Sequence, residues 1–220
     1  MREAVAPLSR CLAVVRHAKH LIFSWLNPVI LPDDGIYVFA RDEYLFMGMM
    51  QSRIHRVWAL NRGTFLEDRP RHTPTTCFET FPFPRQTPAQ ETAITDAAQE
   101  LNELRERWLN PPEWTETRTL EFPGSITGPW LRYVDPKTVD AKTAVGVVRY
   151  PRLEPRDADC AAKLKKRTLT NLYNERPALL DLAHKKLDAA VAAADGWPAD
   201  LSDEQVLERL LALNLERAAE

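Results

Sequence analysis

The sequence predicts an α+β fold, with a small mixed strand and helix domain over residues 1–86 and a mainly α-helical region over residues 87–220. Three observations carry this reading. Short runs rich in β-branched and aromatic residues fill the first forty or so positions. The apolar spacing then changes to the period of a helix, and from Asp157 onward that period continues through three further segments.

Taken in order, segments 11–15, 21–26 and 36–40 read as strands, bounded by turn formers such as Pro32-Asp33-Asp34-Gly35. After Asp42 a single amphipathic helix of about five turns is expected. Phe46, Met50, Ile54 and Val57 form its apolar side, Ser52, His55, Ala59 and Arg62 its other side, and Gly63 sits where a C-terminal cap belongs. Residues 64–77, dense in Arg, Pro and Thr, read as a loop leading into a compact apolar element at 78–84. A second helix starts at Thr87, where Pro88 and Gln90 reproduce a capping box. Ile94, Ala97, Leu101, Leu104 and Trp108 supply its buried stripe, and Pro111-Pro112 ends it. Residues 113–155 read as short strands and turns forming a strap packed against other elements. Helices are then expected at 158–174, 178–194 and 203–217, the last capped by Ser202 with Gln205.

Composition narrows the function classes. Hydrophobic residues make up 45% and charged ones 27%, a globular balance, and no apolar run is long enough to span a bilayer. The first residues hold an acid and no sustained apolar core, so a secretory signal is not expected and a cytoplasmic location is. Cys11, Cys77 and Cys160 are too scattered for a disulfide framework or a zinc site and read as reduced thiols. With seven glycines there is little room for a cofactor-cradling loop, and no metal cluster or nucleophile-base arrangement is visible. No catalytic, cofactor-binding or metal-binding residue is therefore assigned.

The net charge of -2 hides an asymmetry, since residues 1–75 hold ten Lys/Arg against seven Asp/Glu and four of the five histidines. Arg16 and Lys19 lie between two strands, Arg53, His55, Arg56 and Arg62 on the helix, and Arg69, Arg71 and His72 on the loop after it. Arginine forks suit guanine edges and phosphates, but such a set is equally a solvated face paired with Asp42, Glu67 and Asp68. A second cluster, Lys163, Lys165, Lys166 and Arg167, is spread over little more than one helical turn and cannot all face one way.

The run Ser52-Arg53-Ile54-His55 through Trp58-Ala59-Leu60, then Cys77-Phe78-Glu79-Thr80-Phe81-Pro82-Phe83-Pro84 and the Gln90-Glu91 helix, resembles the end of the target-recognition domain of MmeI-like DNA methyltransferases. Residues 167–177, with Leu182-Ala183-His184-Lys185-Lys186-Leu187 and Gly196-Trp197-Pro198, resemble the same family's C-terminal helical part. The apolar-proline element is also similar to recognition domains of type I specificity subunits. The resemblance implies a C-terminal portion of an N6-adenine DNA methyltransferase of a restriction-modification or phage-defence system. It implies double-stranded DNA and a methyltransferase catalytic domain or subunit as partners, with S-adenosylmethionine bound by that domain, which this chain lacks. It also places base-reading side chains at Glu67, Arg69, Arg71 and His72. Asn110-Pro111-Pro112-Glu113 is close to the catalytic turn of amino-methylating enzymes, yet its fourth residue is not aromatic and it follows a helix, so it reads as a helix stop. The alternative is a non-enzymatic assembly subunit whose helices dock a partner methyltransferase.

Overall fold

The computed structural model describes residues 2–30 and 32–218. A short helix α1 (Arg2–Val5) leads into β1 (Cys11–Val15), β2 (Phe23–Leu26) and β3 (Ile36–Phe39). These form an antiparallel sheet of order β2-β1-β3, with Leu12 opposite both Trp25 and Phe39. The central strand is apolar because residues on both of its faces are buried. Its Leu12 and Val14 pack with Phe23, Phe39, Phe46, Met47 and Met50 into one of two cores.

The expected five-turn helix is two helices, α2 (Tyr44–Gln51) and α3 (Arg53–Arg62). Ser52 breaks it: its backbone is extended at ψ 156°, and its hydroxyl accepts from the His55 amide while donating to the Met49 carbonyl at 2.7 Å. The Arg53 amide, freed by the break, is satisfied by the Asp188 carboxylate at 2.6 Å. The change of axis overturns the expected solvent side, since Ser52, His55 and Ala59 are all buried.

The expected loop 64–77 is also ordered. It contains a hairpin of β4 (Thr64–Leu66) and β5 (Arg69–Arg71), then a wide helical turn at Pro74–Phe78 that packs on α3. The helix α4 (Pro88–Leu109) begins with the expected reciprocal Thr87–Gln90 cap and ends at the proline pair. Instead of short strands, residues 113–155 hold β6 (Thr115–Ser125) and β7 (Val145–Pro155), paired along their whole length. Each would reach about 35 Å at roughly 3.3 Å per residue. Proline and glycine in these strands hid them from a propensity reading, but in a two-stranded ribbon every strand is an edge and tolerates both. Asn27 donates to the Tyr133 hydroxyl at 3.1 Å, and the Arg132 guanidinium donates to the carbonyls of Ala6, Leu8 and Ser9, which ties the ribbon's far end to the sheet region.

The helix expected at 158–174 is likewise divided, into α5 (Ala158–Leu164) and α6 (Leu169–Glu175), because the Thr168 hydroxyl accepts from the Asn171 amide and starts a new helix. Last come α7 (Ala178–Ala194) and α8 (Asp203–Ala218), the latter begun by the Ser202–Gln205 exchange. The larger core joins Ile54, Val57, Trp58 and Phe81 to Ile94, Leu101, Leu180, Leu187 and Leu210, and so crosses residue 86. Cys11, Cys77 and Cys160 are free and buried. Among the described residues, no helix is long and apolar enough to cross a membrane, and no group of His, Cys, Asp and Glu could hold a metal ion.

Candidate nucleic-acid interface

Residues 16–20, between β1 and β2, and the hairpin 64–71 are brought together by backbone pairing. His17 and Arg71 form an antiparallel bridge, and the His72 amide donates to the Arg16 carbonyl at 3.1 Å. Directly opposed residues in such a pair share a face, and successive residues alternate. His17, Arg71 and Arg69 therefore lie on one face, with Thr64 and Leu66, which sit opposite Arg71 and Arg69 in the hairpin register. Arg16 and His72 lie on the other face, turned into the protein. The burial agrees: His72 is 2% exposed, and the Arg16 guanidinium lies 5.2 Å from the Tyr37 ring.

The outward face is cationic and its parts are held. Lys19 donates to the Asn174 side-chain oxygen at 2.7 Å, and the His20 ring meets the same atom at 2.9 Å, so α6 fixes the loop. At the hairpin tip Glu67 occupies the left-handed region at φ 58° and accepts from Arg69 at 2.7 Å. A two-residue turn requires positive φ at its first central position, which Glu67 supplies without being glycine. Arg62 is exposed at the foot of the hairpin, 5.6 Å from the Trp58 ring centre, and Arg56 is exposed on α3.

Besides Arg16, three of the residues expected to touch DNA are placed elsewhere. His55 is fully buried, with Nδ1 2.8 Å from the Met50 carbonyl and its ring edge-on to Phe23 and Phe81. Burial, and then the neighbouring His72, push its pKa down to about 3. His72 is ringed by Phe23, Tyr37, Phe39 and His55, and burial lowers it to about 4. Arg53 is a strut: it donates to the Leu201 carbonyl at 2.7 Å and ion-pairs with Asp203, joining α3 to α8. The break at Ser52 bears on both His55 and Arg53: the Ser52 hydroxyl caps the His55 amide, and the Arg53 amide it frees is held by Asp188.

His17 and Asn174 are the residues that sequence reasoning missed. The short run Thr64-Phe65-Leu66, followed by Glu67-Asp68 and Arg69-Pro70-Arg71, is a weak hairpin signal that Pro70 obscured, because proline demotes a strand to an edge. Nothing in the sequence announces Asn174 as the anchor of Lys19.

Gly63 sets how the hairpin is mounted. An added Cβ there would stand 2.6 Å from the Arg71 carbonyl oxygen and 2.7 Å from that of Ala59, both main-chain atoms that cannot swing aside. Gly63→Ala is expected to lower stability by about 1–3 kcal/mol by overpacking. Hydrogen exchange should show lost protection in residues 64–72 while α4 and α7 keep theirs. Uniform protection across the hairpin would contradict this account of the mounting.

A sheet-and-helix body of this kind is also found in a solved restriction-modification enzyme. The solved neighbour is the type IIL restriction-modification enzyme MmeI, determined in complex with DNA. It superposes with a TM-score of 0.66 at 18% identity, over 98% of this chain and 22% of that chain. The likeness is one of fold, and the present chain spans about a fifth of the neighbour's length. No protein-family model matches the sequence, and neither does any curated protein.

Proposed function

We propose that this chain is the DNA target-recognition end of a site-specific N6-adenine methyltransferase in a restriction-modification or phage-defence system. Methyl transfer from S-adenosylmethionine belongs, in this reading, to a catalytic domain or subunit that meets the same DNA. The observation that carries the proposal is the His17–Arg71 bridge, which sets exposed Arg69 and half-buried Arg71 and His17 on one face beside the anchored Lys19. Two-stranded ribbons fit the major groove, and arginine forks there donate two parallel bonds to guanine or grip phosphates. The neighbour's structure in complex with DNA supports the same partner here.

The roles divide by position. Arg69 and Arg71 stand where base edges would be read, and Glu67, tied to Arg69, orients that fork or accepts from a cytosine amino group. Lys19, Arg62 and Arg56 flank the hairpin and suit phosphate contact, which positions the duplex without reading it.

The test is duplex binding by the purified chain across a salt series. The chain is expected to shift duplex DNA with an affinity that falls as salt rises. Replacing Arg69 and Arg71 together by alanine should weaken binding to the preferred sequence by at least about 30-fold, since each bidentate contact discriminates by roughly 1–3 kcal/mol. Undiminished binding by the double variant would remove the hairpin from the interface. No salt-dependent binding at all would leave the chain as an assembly piece that docks a methyltransferase.

A further inference from the structure

Leu66 is an apolar residue among guanidinium groups. It lies directly opposite Arg69 in the hairpin register, shares the outward face with Arg71 and Thr64, and is 49% exposed. Among the described residues it belongs to neither apolar core. A half-exposed leucine outside both cores, on the face that presents the arginines, is not there to build a core.

The floor of the major groove offers one apolar feature, the 5-methyl group carried by thymine and by methylated cytosine. A cross-strand pair holds its Cβ atoms about 4.5–5.5 Å apart, a spacing that lets two side chains address neighbouring base pairs. We infer that Leu66 is a specificity-determining residue that reads a pyrimidine 5-methyl group beside the base pair contacted by Arg69. This rests on the proposal that the hairpin reads DNA. Phe65 supplies a control within the same hairpin: it is 57% exposed but pairs with Pro70 on the opposite face.

The experiment begins with the full chain selecting its preferred duplex from a random library. Each thymine of that duplex is then replaced by deoxyuridine, and each cytosine by 5-methylcytosine, one at a time. For the unsubstituted protein, one thymine-to-uracil change should weaken binding about fourfold, the worth of burying one methyl group. If every thymine is inert, one 5-methylcytosine should strengthen binding by a similar factor, which assigns the methylated base as the source. Leu66→Ser should abolish whichever effect is seen, and Phe65→Ser should retain it. Selective, salt-dependent binding that ignores both base changes overturns the role of Leu66 and leaves the hairpin's reading of DNA standing, as does a methyl effect that survives in Leu66→Ser. Failure of the chain to bind duplex at all overturns both.

Discussion

Between pH 7 and pH 4 this protein is expected to lose most of its stability. Three buried histidines carry the effect: burial lowers His55 and His184 to about 3 and His72 to about 4. The cations of Arg105, Arg176 and Arg56 push His184 further in the same direction. An unfolded histidine titrates near 6.5, so below that pH the unfolded chain binds protons that the folded one refuses. The stabilising contribution is complete above about pH 6.5 and declines as the pH falls toward the folded values. At about 1.4 kcal/mol per pH unit, each histidine accounts for on the order of 3 kcal/mol at pH 4. Asp195 opposes them, because burial raises its carboxyl to about 6 and acid relieves that penalty, offsetting roughly one histidine, and Asp188, also raised by burial, acts in the same sense. The remaining loss is comparable to the whole stability of an ordinary domain, about 5–15 kcal/mol. Denaturant titrations at pH 7, 5.5 and 4 measure it directly. His72→Phe should flatten the slope, since neither ring nitrogen of His72 has a partner among the described residues to lose. Equal stability at pH 7 and pH 4 would refute the assignment.

Trp58→Ala should be the most damaging single substitution near the interface. Trp58 is 1% exposed and sits in the larger core with Ile54, Phe81 and residues of α4, α7 and α8. Its indole nitrogen donates to the Thr80 hydroxyl at 3.2 Å, and the Thr80 carbonyl accepts from Asn214 of α8 at 2.6 Å. Truncation opens a cavity and removes the bond to Thr80, at a cost of about 3–5 kcal/mol. Trp58→Phe keeps a ring in the core and loses mainly the indole hydrogen bond, so about 1–2 kcal/mol is expected. Chemical denaturation distinguishes the two, and a loss below about 1 kcal/mol for the alanine variant would show that the site collapses without cost.

The strands β1 to β3 and the start of α4 were legible because their signals are local: β-branched runs for the former, a Thr-Pro-x-Gln cap for the latter. The break at Ser52 was not, since its side chain exchanges bonds with Met49 and His55 without the acidic or amide residue that completes a capping box. Beyond that unseen break, His55 and Ala59 are buried although the helical spacing put them opposite Ile54 and Val57. The ribbon of β6 and β7 was obscured for another reason: its pairing joins residues up to forty positions apart, as Thr115 meets Pro155, and no local window holds both. Within the candidate interface, the arginines stood out by type, whereas His17 became part of it only through its pairing with Arg71.

The manner in which β4 and β5 are attached bears on how such a protein could diversify. Residues 64–71 belong to neither apolar core among the described residues, and they meet the body at Gly63 and at one backbone bridge. Mutation can exchange letters on that small tongue one at a time while the scaffold beneath keeps its shape. If the hairpin reads DNA as proposed, a lineage could thus acquire new addresses without relearning how to fold.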